Sequence, residues 1–494
     1  MGIILPASPH VADLAGPPAS PQPAGRSAVN VGLRALLTVA AGLAIWYAPV
    51  PAGIKPQAWR LLAVFFATMI GLIAQPLPMG AVVLIGVTAC IFTGTLTVAE
   101  ALAGYMNATV WLIVAAFLFS RAFAKTGLGR RIAYIFIGAF GKRTLGLAYA
   151  LGLADMVLAP GIPSGAARTA GVIFPIVKSL ASAYGSEPGP TSGRIGSYLT
   201  LCAYQIHTTT CAMFMTGMVA NPLIVELTKK TLGITITWGG WALAALVPGV
   251  LSFLAIPCIV LWTLKPEIRE TPDAPLIAKA ELQRMGKMGR QEWLVLGIFG
   301  LAFTLWTTGS WTGLDPTAVA LLDLCLLLCT GVITWQDVLN EHSAWDALVW
   351  FGGLVGMAAM LGKFGLTGWF STTVAGKMGG WPWLAALAGL ALAYMYAHYF
   401  FASLAAHTTA FFVPFVTVAV AAGAPPYFAA LTLAFFSSLC ASLTHYGGGP
   451  SPVYWGSGYL TVKQWWKTGF FISILYIIVW MGIGPFWWHA LGLF

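Results

Sequence analysis

Long apolar stretches broken by short polar ones run along nearly the whole chain. Runs at about 31–50, 59–75 and 79–99 each approach the ~20 residues with which an α-helix crosses a hydrocarbon core. Trp and Tyr recur at their ends, as they do at bilayer edges. A run at 107–124 follows, bounded by Asn107 and then by Arg121 and Lys125. The next connection carries Arg130, Arg131, Lys142 and Arg143, which predicts a cytoplasmic face. Further apolar runs begin near 144 and cover about 195–223 and 237–264, with a loop at 185–194. After a charged segment the plan repeats, with runs near 293–311, 314–333, 345–362, 383–401, 404–422, 427–446 and 467–492. The pattern predicts an all-α integral membrane protein with about eleven transmembrane helices. The runs at 107–124 and 345–362 are spans or re-entrant hairpins.

One stretch interrupts this pattern. Residues 160–175 read PGIPSGAARTAGVIFP, with two prolines and two glycines followed by Arg168. Proline removes a backbone donor and turns the preceding residue away from helix. In lipid such a break persists only where it is buried in protein or lines a cavity. The stretch also recurs: SGAARTAGVIFP from Ser164 matches SLAAHTTAFFVP from Ser403, a shift of 239 residues. Arg168 then falls on His407, Thr169 on Thr408 and Pro175 on Pro414. Val110-Trp111 falls on Val349-Trp350, and Lys125-Thr126-Gly127-Leu128 matches Lys363-Phe364-Gly365-Leu366 one residue short of that shift. Two interrupted segments at corresponding places in two halves point to a transporter's binding site. Packing of small residues between helices is the alternative reading; it does not account for paired basic residues beside paired breaks.

Composition narrows the class. Of 494 residues 59% are hydrophobic and only 8% charged, against about a quarter in soluble domains. The net charge of +10 is spread over short loops and forms no basic patch, so nucleic acid is not an expected partner. The partners expected are the lipid bilayer and a small acid. The halves divide as 29–264 and 293–494, each a membrane repeat, with a cytoplasmic linker at 265–292 and a disordered tail at 1–28. The seven cysteines lie in or beside apolar runs and read as packing residues. Cys325 and Cys329 share a helix face without a nearby histidine, so no metal ligand and no cofactor is expected. There is no nucleotide-binding loop, Gly-x-Ser-x-Gly elbow or His-Glu-x-x-His motif to suggest an enzyme. A channel would show pore-lining rings of like residues.

The paired breaks suggest specific chemistry. Helix starts meeting within the membrane present free N–H groups and a favourable dipole to an anion. Arg168 offers a planar fork suited to a carboxylate, and His407 offers one or two donors. Ser164, Thr169, Ser403 and Thr408 add hydroxyls, and Gly165, Ala166, Leu404 and Ala405 complete the two tips. The polar cluster Tyr204–Thr210 contributes Gln205, His207 and Thr208. At the same shift it meets the segment containing Gly447 and Gly448, which is placed beside the site. For Arg168 the alternative is an ion pair with Asp155, and for His407 a satisfied core histidine. His398 reads as structural.

At this point the chain resembles the divalent anion:sodium symporter family. Within it, the similarity is to plastid 2-oxoglutarate/malate translocators and bacterial citrate/succinate or tartrate/succinate antiporters. The stretches that carry it are VWLIVAAFLFSRAFAKTGLGRRIAYIF (110–136), LAPGIPSGAARTAGVIFPIV (158–177), AMFMTGMVANPL (212–223), AHYFFASLAAHTTAFFVPF (397–415) and YGGGPSPVYWGSGYLTVKQWW (446–466). The resemblance implies two inverted-topology repeats with interrupted helices, a homodimer, an elevator-type transporter and dicarboxylate or tricarboxylate substrates in a bacterial inner membrane. Sodium-coupled members of the family carry Ser-Asn-Thr at both tips. Here the tips are Ser164-Gly165-Ala166 and Ser403-Leu404-Ala405, which lack the side-chain oxygens that sodium prefers. The expectation is therefore a sodium-independent anion exchanger, with sodium- or proton-coupled symport as the alternative.

Overall fold

The computed structural model describes residues 28–366, 368–369, 373 and 382–493. The expected tail at 1–28 lies outside these residues, apart from Ala28, where the first helix begins. The first half comprises α1 (Ala28–Trp46), α2 (Pro56–Ala74), α3 (Met79–Phe92), the short α4 (Val98–Leu102), α5 (Ala108–Thr126), α6 (Leu128–Phe140) and α7 (Thr144–Leu158). A π-helical segment (Ala166–Ile173) then runs into α8 (Phe174–Ala183), followed by α9 (Gly196–Met213), α10 (Ala220–Leu232) and α11 (Trp238–Leu264). The charged segment at 265–292 holds α12 (Ala274–Met285). The second half comprises α13 (Arg290–Thr307), α14 (Gly309–Thr312), α15 (Pro316–Cys329), α16 (Trp335–Leu339), α17 (His342–Lys363) and α18 (Trp383–Ala397). It ends with α19 (Leu404–Ala421), α20 (Pro426–Leu439), α21 (Ser451–Gly456), α22 (Val462–Tyr476), a π-helical segment (Ile477–Ile483) and α23 (Gly484–Ala490).

Among the described residues seven helices are long and apolar enough to cross a membrane, and five shorter apolar helices accompany them. The runs at 107–124 and 345–362 form α5 and α17, of 19 and 22 residues, each preceded by a short helical arm, α4 and α16. One expectation is corrected. The run at 195–223 does not continue as one helix; α9 stops at Met213 and the chain is extended at Phe214 and Met218. No proline causes this. Asn221 donates to the carbonyls of Cys211 (2.7 Å) and Phe214 (2.9 Å), and Trp241 donates to that of Ala212 (2.8 Å). Side-chain donors thus satisfy the carbonyls that a broken helix would otherwise leave bare in the core.

The two halves carry the same local signals. Thr97 and Glu100 form a capping box that starts α4, and Thr334 and Asp337 do the same for α16. Gly127 after α5 and Gly365 after α17 both adopt left-handed backbone, at φ 76° and 82°, which glycine accepts without strain. Reciprocal ion pairs join these signals. Lys125 of the first half meets Asp337 of the second at 2.6 Å, and Lys363 of the second meets Glu100 of the first at 3.4 Å. When i meets j and the equivalent of j meets the equivalent of i, an approximate two-fold axis relates the halves. Near it the backbones approach closely: a Cβ on Gly104 would lie 2.0 Å from the Gly352 carbonyl oxygen.

Candidate substrate site

The first break follows α7. Its carbonyls are taken up one by one: Pro160 accepts from the Thr216 hydroxyl at 2.8 Å, and Ser164 from the Arg168 amide at 2.8 Å. The Ser164 hydroxyl accepts from the Ala167 amide at 3.2 Å, so it caps the new helix. That helix opens with the π-helical segment, a form that occurs mostly as a local feature at functional sites.

Arg168 is wholly buried, and its fork is occupied. Nε donates to Asp155 at 3.1 Å, and Nη1 donates to the carbonyls of Ile162 (2.6 Å) and Gly217 (2.9 Å). Nη2 faces His207 Nδ1 and Cys211 Sγ, each at 3.2 Å. Asp155 also accepts from the Thr210 hydroxyl. Arg168 therefore ties the break at Ile162 to the break at Gly217, and its carboxylate partner is Asp155. The expectation aimed these donors at a substrate; in the structure they meet protein acceptors, with Asp155, the alternative partner, among them. A bare guanidinium in this core would cost several kcal/mol, and five fixed acceptors offset that.

His207 carries this cluster to the surface of the tip. Its Nδ1 lies 3.2 Å from Arg168 Nη2 and 3.4 Å from both Asp155 oxygens. In the tautomer that suits this nearest contact, Nδ1 accepts from arginine, which only donates, and the ring hydrogen lies on Nε2. Nε2 points at the first tip: a Cβ on Gly165 would lie 2.7 Å from it. The imidazole thus fills the space that a side chain at position 165 would need. His207, Thr210 and Cys211 share one face of α9 because they are spaced i, i+3, i+4. Thr208 and Gln205 face away: Thr208 bonds the Gln205 carbonyl and the Tyr476 hydroxyl (both 2.8 Å), and Gln205 donates to the Ser442 carbonyl at 3.0 Å.

At the second break, α18 ends in a 3-10 turn, His398–Phe400, and the chain is extended to Ser403. The Ser403 hydroxyl caps α19 by accepting from the Ala406 amide at 3.3 Å, matching Ser164. Leu404 packs against Cys211, Met218 and Ala220, so the second tip reaches the same end of α9 as the first. Ala405 is half-buried beside it. His407 lies deeper, enclosed by the rings of Tyr394, Phe401 and Phe411. Its Nδ1 is 3.2 Å from His398 Nδ1 and 3.5 Å from Cys440 Sγ. No carboxylate is paired with it among the described residues, so the expected positive charge has no partner there. Thr408 is likewise buried, and Thr169 bonds the Tyr454 hydroxyl at 2.7 Å.

The glycine run lies between the two breaks. The Gly447 carbonyl accepts from His398 Nε2 at 2.7 Å, and the Gly448 amide donates to Ser451 at 2.9 Å. Pro450 closes the approach to Gly165, 3.5 Å from its Cβ position. Ser164, Gly165, Ala166, His207, Ser403, Leu404 and Ala405 thus gather round the end of α9, with Gly447 and Gly448 alongside. Arg168, Thr169, Gln205, Thr208, His407 and Thr408 are turned into the packing behind it. Sequence reasoning missed Thr210 and Cys211 as members of the cluster. The helical spacing from His207 was the signal that could have found them. It also missed the grouping of Cys440 with two histidines, which no local spacing announces.

A family model described as the sodium:sulfate symporter transmembrane region matches residues 30–494. The chain is 46% identical to the putative malate transporter YflS of Bacillus subtilis, over 96% of this chain and all of that one. It is also 46% identical to the chloroplast dicarboxylate transporter 1 of Arabidopsis thaliana, over 93% of this chain and 83% of that one. The inner membrane protein YbhI of Escherichia coli is 37% identical over 92% and 97% of the two chains. Among solved structures, the YdaH transporter of Alcanivorax borkumensis has a similar fold, with a TM-score of 0.52 and 13% identity over 94% and 97% of the chains.

Proposed function

This chain belongs to the sodium:sulfate symporter family, and we propose that it is a sodium-independent exchanger of small dicarboxylates of the malate class. It is a multi-pass membrane transporter, not an enzyme. The names of the relatives from Bacillus and Arabidopsis support a dicarboxylate. The observation that carries the exchange reading is the make-up of the two tips. Gly165, Ala166, Leu404 and Ala405 bring no side-chain oxygen to hold sodium, while His207 Nε2 lies where a side chain at 165 would be. The first-turn amides of both helices and the hydroxyls of Ser164 and Ser403 then hold the two carboxylates. His207 donates from Nε2, and Arg168 acts as a positioning residue that holds the imidazole in place. Gly447 and Gly448 let the chain pass close to the tips. Thr169, Gln205, Thr208, His407 and Thr408 support the wall behind.

The same reading takes 29–264 and 293–494 as repeats of inverted topology moving by an elevator mechanism within a homodimer, with 265–292 as the cytoplasmic linker. Basic residues in that segment support its side: Lys265, Arg269, Lys279, Arg284, Lys287 and Arg290. The test is uptake of labelled malate, succinate, 2-oxoglutarate, citrate or tartrate into liposomes carrying the purified protein. Uptake that needs internal dianion and ignores a sodium gradient is expected. Uptake into empty liposomes driven by sodium or by protons would replace exchange with symport.

A further inference from the structure

Behind the second tip three side chains from separate helical elements converge, and none of them touches the substrate in the reading above. His398 comes from the turn after α18, His407 from the first turn of α19, and Cys440 from the end of α20. All three are buried. One ligand atom from each lies within 4.8 Å of the other two. We propose that they form a binding site for a soft divalent metal ion of the zinc class, with one coordination position left open.

Two of the three ligand spacings are those of a coordination shell, and the third pair of atoms lies within 4.8 Å. Metal–nitrogen bonds of about 2.05 Å and a metal–sulfur bond of about 2.3 Å, set tetrahedrally, put two nitrogens about 3.3 Å apart and nitrogen and sulfur about 3.5 Å apart. The structure has 3.2 Å between the two Nδ1 atoms and 3.5 Å between His407 Nδ1 and Cys440 Sγ. The outer shell is also in place. His398 Nε2 donates to the Gly447 carbonyl at 2.7 Å, which keeps its hydrogen on Nε2 and leaves the Nδ1 lone pair free. Imidazole and thiolate together select zinc-like ions over calcium or magnesium, which take oxygen ligands.

The proton balance is simple. Without metal, His407 Nδ1–H donates to His398 Nδ1, and Cys440 carries its thiol hydrogen. On binding, the His407 hydrogen passes from Nδ1 to Nε2 and the thiol proton leaves to water. Three bonds to the metal form, and one proton is released per ion. The bound ion and thiolate sum to one positive charge, one helical turn from Ser403. It would fasten the end of α18, the start of α19 and the end of α20 to one another, with Gly447 attached through His398.

The experiment uses the full chain in detergent, titrated with cadmium and followed by the ultraviolet charge-transfer band of a cadmium–thiolate bond. X-ray absorption is measured in parallel on the zinc-loaded wild type. One ion per chain is expected, with one sulfur and two imidazoles in its shell. Cys440→Ser should abolish the band and weaken binding by more than about 100-fold, beyond the 10–100-fold that an outer-shell change costs. Cys202→Ser, in α9, should leave the band intact. A band that survives Cys440→Ser, or a wild-type shell without sulfur, would overturn the site. The absorption spectrum decides the matter even where a variant fails to fold. Binding only at outlying histidines such as His342 or His489 would overturn it as well.

Discussion

Replacing Gly165 with alanine sets two physical effects against each other, and the structure says which prevails. The backbone at Gly165 is ordinary right-handed helix, φ −58° and ψ −35°. On conformational grounds alone, alanine there should stabilise the protein by about 0.4–1 kcal/mol, because it restricts the unfolded chain. The new methyl, however, would stand 2.7 Å from His207 Nε2 and 3.1 Å from its Cε1. Ordinary contact begins near 3.4 Å, so the ring or the tip must move by several tenths of an ångström. The ring has little room, since Arg168 holds Nδ1 and Cys211 Sγ sits 3.4 Å from Nε2. Overpacking of this kind costs about 1–3 kcal/mol. A net loss of about 1–2 kcal/mol corresponds to about 5–30-fold in apparent affinity if it falls on substrate binding. Counterflow in liposomes would read it as a raised KM, and thermal unfolding in detergent as a lowered Tm. In a His207→Ala background the same substitution should become neutral or mildly stabilising. If Gly165→Ala raised stability with His207 present, the imidazole would not occupy this space and the account of the first tip would fail.

Asp155→Asn should destabilise the protein by about 3–5 kcal/mol, as expected when a buried guanidinium loses its carboxylate; a loss under 1 kcal/mol in thermal unfolding would contradict the pairing. Arg168→Lys should also lose most transport, because an ammonium cannot reach Asp155 and the Ile162 and Gly217 carbonyls together, and its unfolding midpoint should fall alongside activity. A double-mutant cycle of Lys125→Ala and Asp337→Asn should give a coupling under about 1 kcal/mol for so accessible a pair. Burial works to raise the Asp337 carboxyl, but Lys125 and the Thr334 amide outweigh it and hold it down at about 2. The stability it contributes is therefore present above the ordinary carboxylate range near 4 and is lost as pH falls toward 2, which an acid titration of wild type against Asp337→Asn would measure. Glu292→Gln should cost a few kcal/mol, since Arg131 is buried and meets both of its oxygens, at 2.6 and 3.1 Å. Burial tends to raise the Glu292 carboxyl, but Arg131 and the Gly289 amide lower it and prevail, so that stability should hold at neutral pH and fade on acidification.

Much of the architecture was legible in the chain. Length and continuity of apolar runs predict spans because a bilayer imposes one thickness on every helix that crosses it. The two breaks were legible because proline and glycine act on their own backbone, whatever surrounds them. The repeat was legible because SGAARTAGVIFP and SLAAHTTAFFVP, and the pieces Lys125–Leu128 and Lys363–Leu366, stand at matching places in the two halves. The end of α9 at Met213 was not, since no local breaker stands there and the carbonyls are satisfied by Asn221 and Trp241 from elsewhere.

The sequence by itself determined that this is a helical membrane protein and where two of its helices are interrupted. Those properties depend on hydrophobic length and local backbone chemistry. Only the tertiary structure decided which polar side chains face the tips. Arg168 and His407 sit at equivalent positions, yet one ties two broken backbones together and the other lies among aromatic rings beside His398 and Cys440. His207, unaligned with either, is the one that faces a tip. A buried polar group points to whichever partners the packed helices bring within about 3 Å, and Asp155, Gly217, Cys211 and Cys440 reach that distance only through the fold.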